Sequence, residues 1–183
     1  MTSLLEQASS GYDLARRFDK SIGHFWQATH QQIYRELARM ERAGWISSEA
    51  APDGGRTRKR LYSVLPAGRA ELVRWVGEQA PVTALRDDLL VRLRADAAIG
   101  PLGMADEIRR RKALHASKLE AYRVIEGHDF PADKPRDRRA RLHRLILNAG
   151  ILYEQTWLAW CDAALDEFSD DFPDPVPPAT LAP

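Results

Sequence analysis

The chain has 183 residues, enough for one domain of ordinary size and a small second one, with 44% apolar and 29% charged side chains. Its 27 Lys and Arg against 26 Asp and Glu leave a formal net charge of +1, which excludes a globally basic coat and an acidic tail protein. No run approaches the roughly 18 apolar residues of a membrane span, and the single cysteine, Cys161, excludes an intramolecular disulfide and a multi-cysteine zinc site. The start, MTSLLEQASSGYDL, lacks a basic-then-apolar signal, so a cytoplasmic location is the plain expectation.

The near-neutral total hides an asymmetry. Residues 1–76 carry a net charge of +4, residues 77–161 carry +3, and the last 22 residues carry −6. Most of the chain is mildly basic, and the acidic part is its Pro-rich end.

In chain order, Leu4, Leu5 and Ala8 make a thin first apolar stripe. Ser10 and Asp13 have the spacing that caps a helix start, and Leu14, Ala15 and Phe18 then share one face, predicting a short helix to about Lys20. Thr29 and Gln32 repeat the capping-box spacing. Ile33, Leu37 and Met40 follow at i, i+4, i+7, and Gly44 stands where a left-handed residue ends a helix. A helix over 29–43 follows from this. Residues 45–49 and 61–65 are β-prone runs around a Gly-containing turn at 52–55, which predicts a hairpin wing over about 50–62. Pro66 suits a first helical turn, and Ala70, Leu72, Val73 and Val76 continue as a helix. Helix, helix, hairpin, helix is the order of a winged helix-turn-helix.

Residues 77–81, with Pro81, read as a linker. Beyond it Leu85, Leu89, Leu93 and Ala97 fall four apart until Gly100-Pro101, and Met104, Ile108, Leu119, Tyr122 and Ile125 mark a long, charged helix over 103–126. The proline-containing stretch 130–135 reads as a loop. From about Arg136 to Phe168, Leu142, Leu145, Ala149, Leu152, Thr156, Trp160 and Ala163 recur in steps of three and four, the seam of a bundle helix. Helices so unequal in length bury little alone, so association with a second chain is expected through that seam. Residues 169–183, with five prolines, read as a disordered or docked tail. The expected architecture is mainly α with a small β-hairpin wing: a winged helix-turn-helix over 1–78, a helical dimerisation domain over 82–168, and an acidic, Pro-rich tail.

The helix over 29–43 offers Thr29, His30, Gln31, Gln32 and Arg35 near its N-terminal end, with Arg39 and Arg42 further along. Small, amide and guanidinium side chains suit base edges and phosphates in the major groove, although an ordinary polar face would look the same. The wing adds weight. Gly55 is followed by Arg56, Arg58, Lys59 and Arg60, a cation cluster that gains free energy by releasing DNA counterions. A protein-docking winged helix that does not read DNA is the alternative, and it has no need of four cations there.

GYDLARRFDKSIGHFWQATHQQIYRELARMERAGWI, then a basic wing and KRLYSVLPAGRAEL, resembles the PadR-like transcriptional regulators. The runs Leu85-Arg86-Asp87-Asp88-Leu89-Leu90 and Tyr153 to Trp160 resemble the helical C-terminal domain of the family's longer subgroup, so the resemblance spans Gly11 to about Phe168. Gln32-Ile33-Tyr34 and Ala67-Gly68-Arg69 are its more specific marks. The resemblance implies a cytoplasmic dimeric repressor that binds a palindromic operator in double-stranded DNA with one winged helix per half-site. It also implies that Tyr34 touches the DNA backbone; spacing alone leaves Tyr34 equally a core-edge residue. Two departures stand out. The first helix is short before Leu4, as a start placed too far downstream would make it, and Leu65 stands where the family often has a capping Thr.

Enzymatic motifs are missing. His24, His30, His115, His128 and His143 show neither HExxH nor close ligand spacing, so no metal or other cofactor is expected. Asp87-Asp88 is a carboxylate pair whose members diverge by about 100° on a helix and suit its positive N-terminus. Cys161 reads as an inert buried thiol. Tyr153, Trp157 and Trp160 share a helix face with two readings: packing in a dimer core, or one wall of a pocket for a flat aromatic or phenolic inducer.

Overall fold

The computed structural model describes residues 1–19, 28–50, 59–82, 85–131 and 137–171, with side chains to 168. The chain divides into two compact units, Met1–Thr83 and Ala84–Pro183.

The first unit runs α1 (Thr2–Glu6), β1 (Ser9–Ser10), α2 (Gly11–Asp19), α3 (His30–Arg42), β2 (Ile46–Ala50), β3 (Arg60–Val64) and α4 (Pro66–Val76). Its core joins Leu4 of α1, Leu14 and Ala15 of α2, and Ile33, Leu37 and Met40 of α3 to Ile46 of β2. The stripe expected on α3 is therefore the buried one. At the other end of α3, Gly44 takes φ +69°, the left-handed value that turns the chain into the sheet.

Several expectations change. The two strands expected for the hairpin, β2 and β3, pair antiparallel, and β1 adds a third strand on the other edge of β3, giving the order β1-β3-β2. Ser9 pairs with Tyr62 and Ser10 with Leu61, while Ile46 pairs with Val64 and Ser48 with Tyr62. A two-residue strand is too short to carry an alternating pattern, and Ser10 was legible only as a cap. The first helix ends at Glu6, leaving Ala8 exposed and Leu5 half-buried. Trp45 precedes the strand rather than starting it. On α4 the buried residue is Gly68; of the expected stripe, Ala70, Val73 and Val76 are exposed and Leu72 is half-buried.

The second unit has α5 (Asp88–Ile99), α6 (Met104–Asp129) and α7 (Arg138–Asp171). Leu89, Met104, Ile108, Trp157 and Cys161 form one buried cluster, and Leu119, Tyr122 and Ile151 form another. Leu85 lies before α5 and is 69% exposed, and Ala97 is exposed as well. The buried residue near the end of α5 is Asp96, whose carboxylate accepts the Leu102 N–H at 2.6 Å and so closes the turn into α6. The long helix α7 continues three residues past Phe168, because the first proline after it is Pro173. Residues 172–183, most of the expected tail, lie outside the described residues.

The pair Asp87-Asp88 converges where divergence was expected. Asp87 is the extended N-cap of α5, with φ −133°, so the helical 100° step does not separate the two side chains. Asp87 accepts the Leu89 N–H at 2.9 Å, and Arg111 of α6 donates to Asp87 at 2.6 Å, to Asp88 at 2.7 Å and to Glu107 at 2.9 Å. One guanidinium thus fastens the start of α5 to α6.

Candidate nucleic-acid interface

Helix α3 starts with a complete capping box. Thr29 Oγ1 accepts the Gln32 N–H at 3.2 Å, and Gln32 Oε1 accepts the Thr29 N–H at 2.7 Å. Gln32 therefore closes the cap that its spacing from Thr29 predicted, a structural duty beside its place among the base-reading candidates. His30 Nε2 lies 3.0 Å from Asp19 Oδ2, tying the start of α3 to the end of α2.

With Ile33, Leu37 and Met40 pointing into the core, a turn of about 100° per residue puts Gln31, Arg35, Ala38 and Arg42 on the opposite side. All four are exposed. The two flanks differ. On one, Arg39 donates to Glu36 at 2.8 Å and sets its guanidinium 5.2 Å from the Trp45 ring centre, so this exposed side chain is already engaged with neighbours in its own chain. On the other, Tyr34 is 46% exposed and lies across Gly11, where an added Cβ would stand 2.5 Å from its Cε1.

The wing candidates divide by position. Lys59 Nζ lies 3.6 Å from Asp13 of α2, and Arg60 opens β3 with Nη2 3.2 Å from Glu41 of α3. Glu41 also accepts from Ser48 of β2. Gly55, Arg56 and Arg58 lie outside the described residues.

In the helical unit, the expected seam of α7 is not what α6 uses. Leu142, Leu145 and Leu152 are 42%, 63% and 54% exposed, and Ala149 and Thr156 are exposed too. The chain's own contact runs through Ile151, Glu154, Trp157 and Cys161. Trp160 is half-buried beside that inner cluster. The aromatic candidates do meet: Trp157 lies edge-on to Trp160 at 5.3 Å and to Tyr153 at 6.4 Å. His115 joins them, stacked on Trp157 at 5.4 Å and hydrogen-bonded to the buried Glu154 at 2.5 Å. Spacing gave no sign of that partnership, because His115 and Glu154 lie on different helices. Burial pushes the Cys161 thiol up, away from the reactive thiolate. Among the described residues no three His, Cys, Asp or Glu side chains gather as metal ligands, and no helix is long and apolar enough to cross a membrane.

The Transcriptional regulator PadR-like family matches residues 1–74, and the Virulence activator alpha C-term family matches residues 85–169. The chain is 38% identical to a probable transcriptional regulator of Mycobacterium tuberculosis, over 93% of this chain and 95% of that one. The chain belongs to the PadR-like family of transcriptional regulators.

Two solved PadR-like folds resemble it. Bacillus subtilis PadR in complex with operator DNA gives a TM-score of 0.79 at 22% identity, covering 90% of this chain and 92% of that one. The same protein with p-coumaric acid gives 0.73 at 21% identity, covering 92% of each chain. The Vibrio cholerae virulence activator AphA gives 0.76 at 28% identity, covering 92% of this chain and 94% of that one.

The family's more specific runs acquire physical reasons in this PadR-like chain. In Gln32-Ile33-Tyr34 the first residue closes the cap, the second enters the core and the third covers Gly11. In Ala67-Gly68-Arg69 the middle residue is buried against the Trp45 carbonyl, where a side chain has no room. Leu65, the departure from a capping Thr, is the N-cap of α4 and makes no side-chain cap bond; Pro66 follows at the first helical position.

Proposed function

We propose that this PadR-like regulator is a homodimeric repressor that binds a palindromic operator, one winged unit per half-site. Residues 1–78 carry DNA binding, 82–168 hold the two copies together, and 169–183 form an acidic appendage. In this reading α3 enters the major groove with Gln31 and Arg35 toward base edges. Tyr34, Lys59 and Arg60, with Arg56 and Arg58 of the wing, take phosphates.

One observation carries the reading. Opposite its buried stripe, α3 presents Gln31, Arg35, Ala38 and Arg42 to solvent, and no core residue occupies that face. The complex of the Bacillus subtilis relative with operator DNA supports the partner class, and the open seam of α7 supports the second copy. A dimer spaces its two helices about 34 Å apart, so half-sites about 10 base pairs apart, centre to centre, are expected.

The finer proposal is release by a flat aromatic or phenolic compound at Tyr153, Trp157 and Trp160. The relative solved with p-coumaric acid supports it, as does the half-exposed Tyr153 ring beside the Trp157 indole. The packing reading keeps its own support, because Trp157 is buried against His115.

Titrating the protein against duplex from upstream of its own gene, and against random duplex, at several salt concentrations tests the main reading. Tighter binding to the upstream duplex, with both affinities falling as salt rises, is the expected result. Equal and salt-independent binding would overturn it. Planar aromatics that neither quench tryptophan fluorescence nor release DNA would remove the inducer and leave the packing.

A further inference from the structure

Next to the recognition helix lies an open groove of about 320 Å³, walled by Ser10–Tyr12, Tyr34, Lys59, Arg60 and Tyr62. Three phenols and two cations on one concavity define what it can hold. Phenolic hydroxyls donate hydrogen bonds and the cations supply charge, so the matching guest is a compact anion with several acceptor oxygens. A base edge is a poor fit, since it carries no charge to answer Lys59 and Arg60. A phosphodiester fits, and Tyr34 belongs to the helix that meets the duplex.

The cations of the groove are engaged in the free protein. Arg60 reaches Glu41 at 3.2 Å, and Lys59 reaches Asp13 Oδ2 at 3.6 Å. Asp13 is well placed for this. The Ser10 hydroxyl donates to the same Oδ2 at 2.7 Å, and Ser10 Oγ accepts the Asp13 N–H at 3.1 Å. The Ser10 hydrogen bond, helped by the Lys59 charge, holds the carboxyl below the usual carboxylate range, so Asp13 is ionised at neutral pH. Both Asp13 and Lys59 are about half exposed, and the pair is open to competition. An arriving phosphate meets the negative charge of Asp13 and competes with it for one ammonium.

We propose that this groove seats one phosphate of the DNA backbone and that Asp13 is its internal competitor, occupying Lys59 until DNA arrives. The proposal rests on the DNA-binding reading above. It makes Tyr12 and Asp13 functional residues, the first adding a donor to the seat and the second setting how tightly any duplex is held. Asp13 thereby weakens sequence-independent binding without touching base readout.

The test is a gain of affinity, which loss of structure cannot imitate. Asp13→Asn keeps an oxygen for Ser10 and removes the charge. It should tighten binding to upstream and random duplex equally, by about 3-fold to 10-fold, as expected from freeing one exposed ion pair and removing one like charge. The slope of log affinity against log salt should steepen by up to about 0.9. In a Lys59→Gln background the Asp13→Asn gain should shrink, since the contested cation is gone. Tyr12→Phe should weaken both duplexes alike with the salt slope unchanged, because a neutral donor releases no counterion.

Wild-type binding to DNA with no gain from Asp13→Asn would overturn the seat and leave the regulator reading standing. Failure of the wild type to bind any duplex would overturn both. A gain that shrinks when sodium phosphate replaces chloride at equal ionic strength would show free phosphate competing with the duplex for the same seat, and would support the assignment.

Discussion

Gly68 rests on the carbonyl of Trp45 so closely that a Cβ at position 68 would fall inside the van der Waals contact of that oxygen. The same carbonyl accepts the Leu65 N–H at 2.9 Å, so the start of α4 is anchored to the turn that leaves α3. Neither backbone can retreat without breaking that hydrogen bond. Gly68→Ala should therefore destabilise the first unit by about 1–3 kcal/mol, the usual cost of forcing one methyl into packed structure. Denaturant unfolding of variant and parent checks this, and equal midpoints would show that the two segments can separate.

Base reading should follow the outward face of α3 rather than its first turn as a whole. Gln31→Ala or Arg35→Ala should relax preference at one position per half-site, by about 1–3 kcal/mol of discrimination. Gln32→Ala should act differently, since its side chain closes the cap of α3. Helix stability should fall by about 1 kcal/mol, with the selected motif unchanged. Selection of binding sites from random duplex separates the two behaviours; an altered motif with Gln32→Ala and none with Gln31→Ala would mean α3 is turned otherwise on DNA.

The two faces of α7 should respond oppositely to charge. Leu145 and Leu152 are more than half exposed in the chain, so Leu145→Asp with Leu152→Asp should give a folded, helical monomer. Ile151→Asp should unfold the helical unit, because Ile151 packs on Leu119 and Tyr122. Light scattering with circular dichroism reads both outcomes. A double variant that remains dimeric would place the interface elsewhere.

Acid should expose the work of Glu107. Its carboxyl is held down to about 2 by hydrogen bonds from Arg110 first and Arg111 second. A carboxylate with a lowered folded value stabilises fully above its unfolded value, near 4.5, and loses that contribution as pH falls toward 2. Glu107→Gln should accordingly lower Tm at pH 7, and its deficit against the parent should shrink between about pH 4.5 and pH 2. A deficit constant over that interval would show that the ion pairs contribute nothing.

What the sequence made legible was what local spacing encodes. Two capping pairs, Ser10/Asp13 and Thr29/Gln32, set the starts of α2 and α3, and the Ile33, Leu37 and Met40 stripe turned the polar face outward. Contacts between segments far apart in the chain were not legible. The pairing of Ser9 with Tyr62, the grip of Arg111 on Asp87 and Asp88, and the burial of Glu154 on His115 leave no local period. On α4 and α5, apolar residues such as Val73, Val91 and Ala97 obey helical spacing and still face water. Periodicity reports that a face exists, and only the fold decides whether something covers it. On α7 the sequence carried two apolar stripes, and the more regular one is not the stripe that meets α6.

The capping box of Thr29 and Gln32 has an entropic consequence. A helix start normally leaves backbone donors to water, and its first turn frays. Here both side chains close that turn from within, so the residues that follow it hold their directions in the free protein. In the proposed DNA-bound state, Gln31 and Arg35 would then be carried on a backbone already ordered, and little backbone ordering cost would be subtracted from the contacts they make. Residues that never touch a base would in this way set part of the affinity for it, through freedom already surrendered when the chain folds.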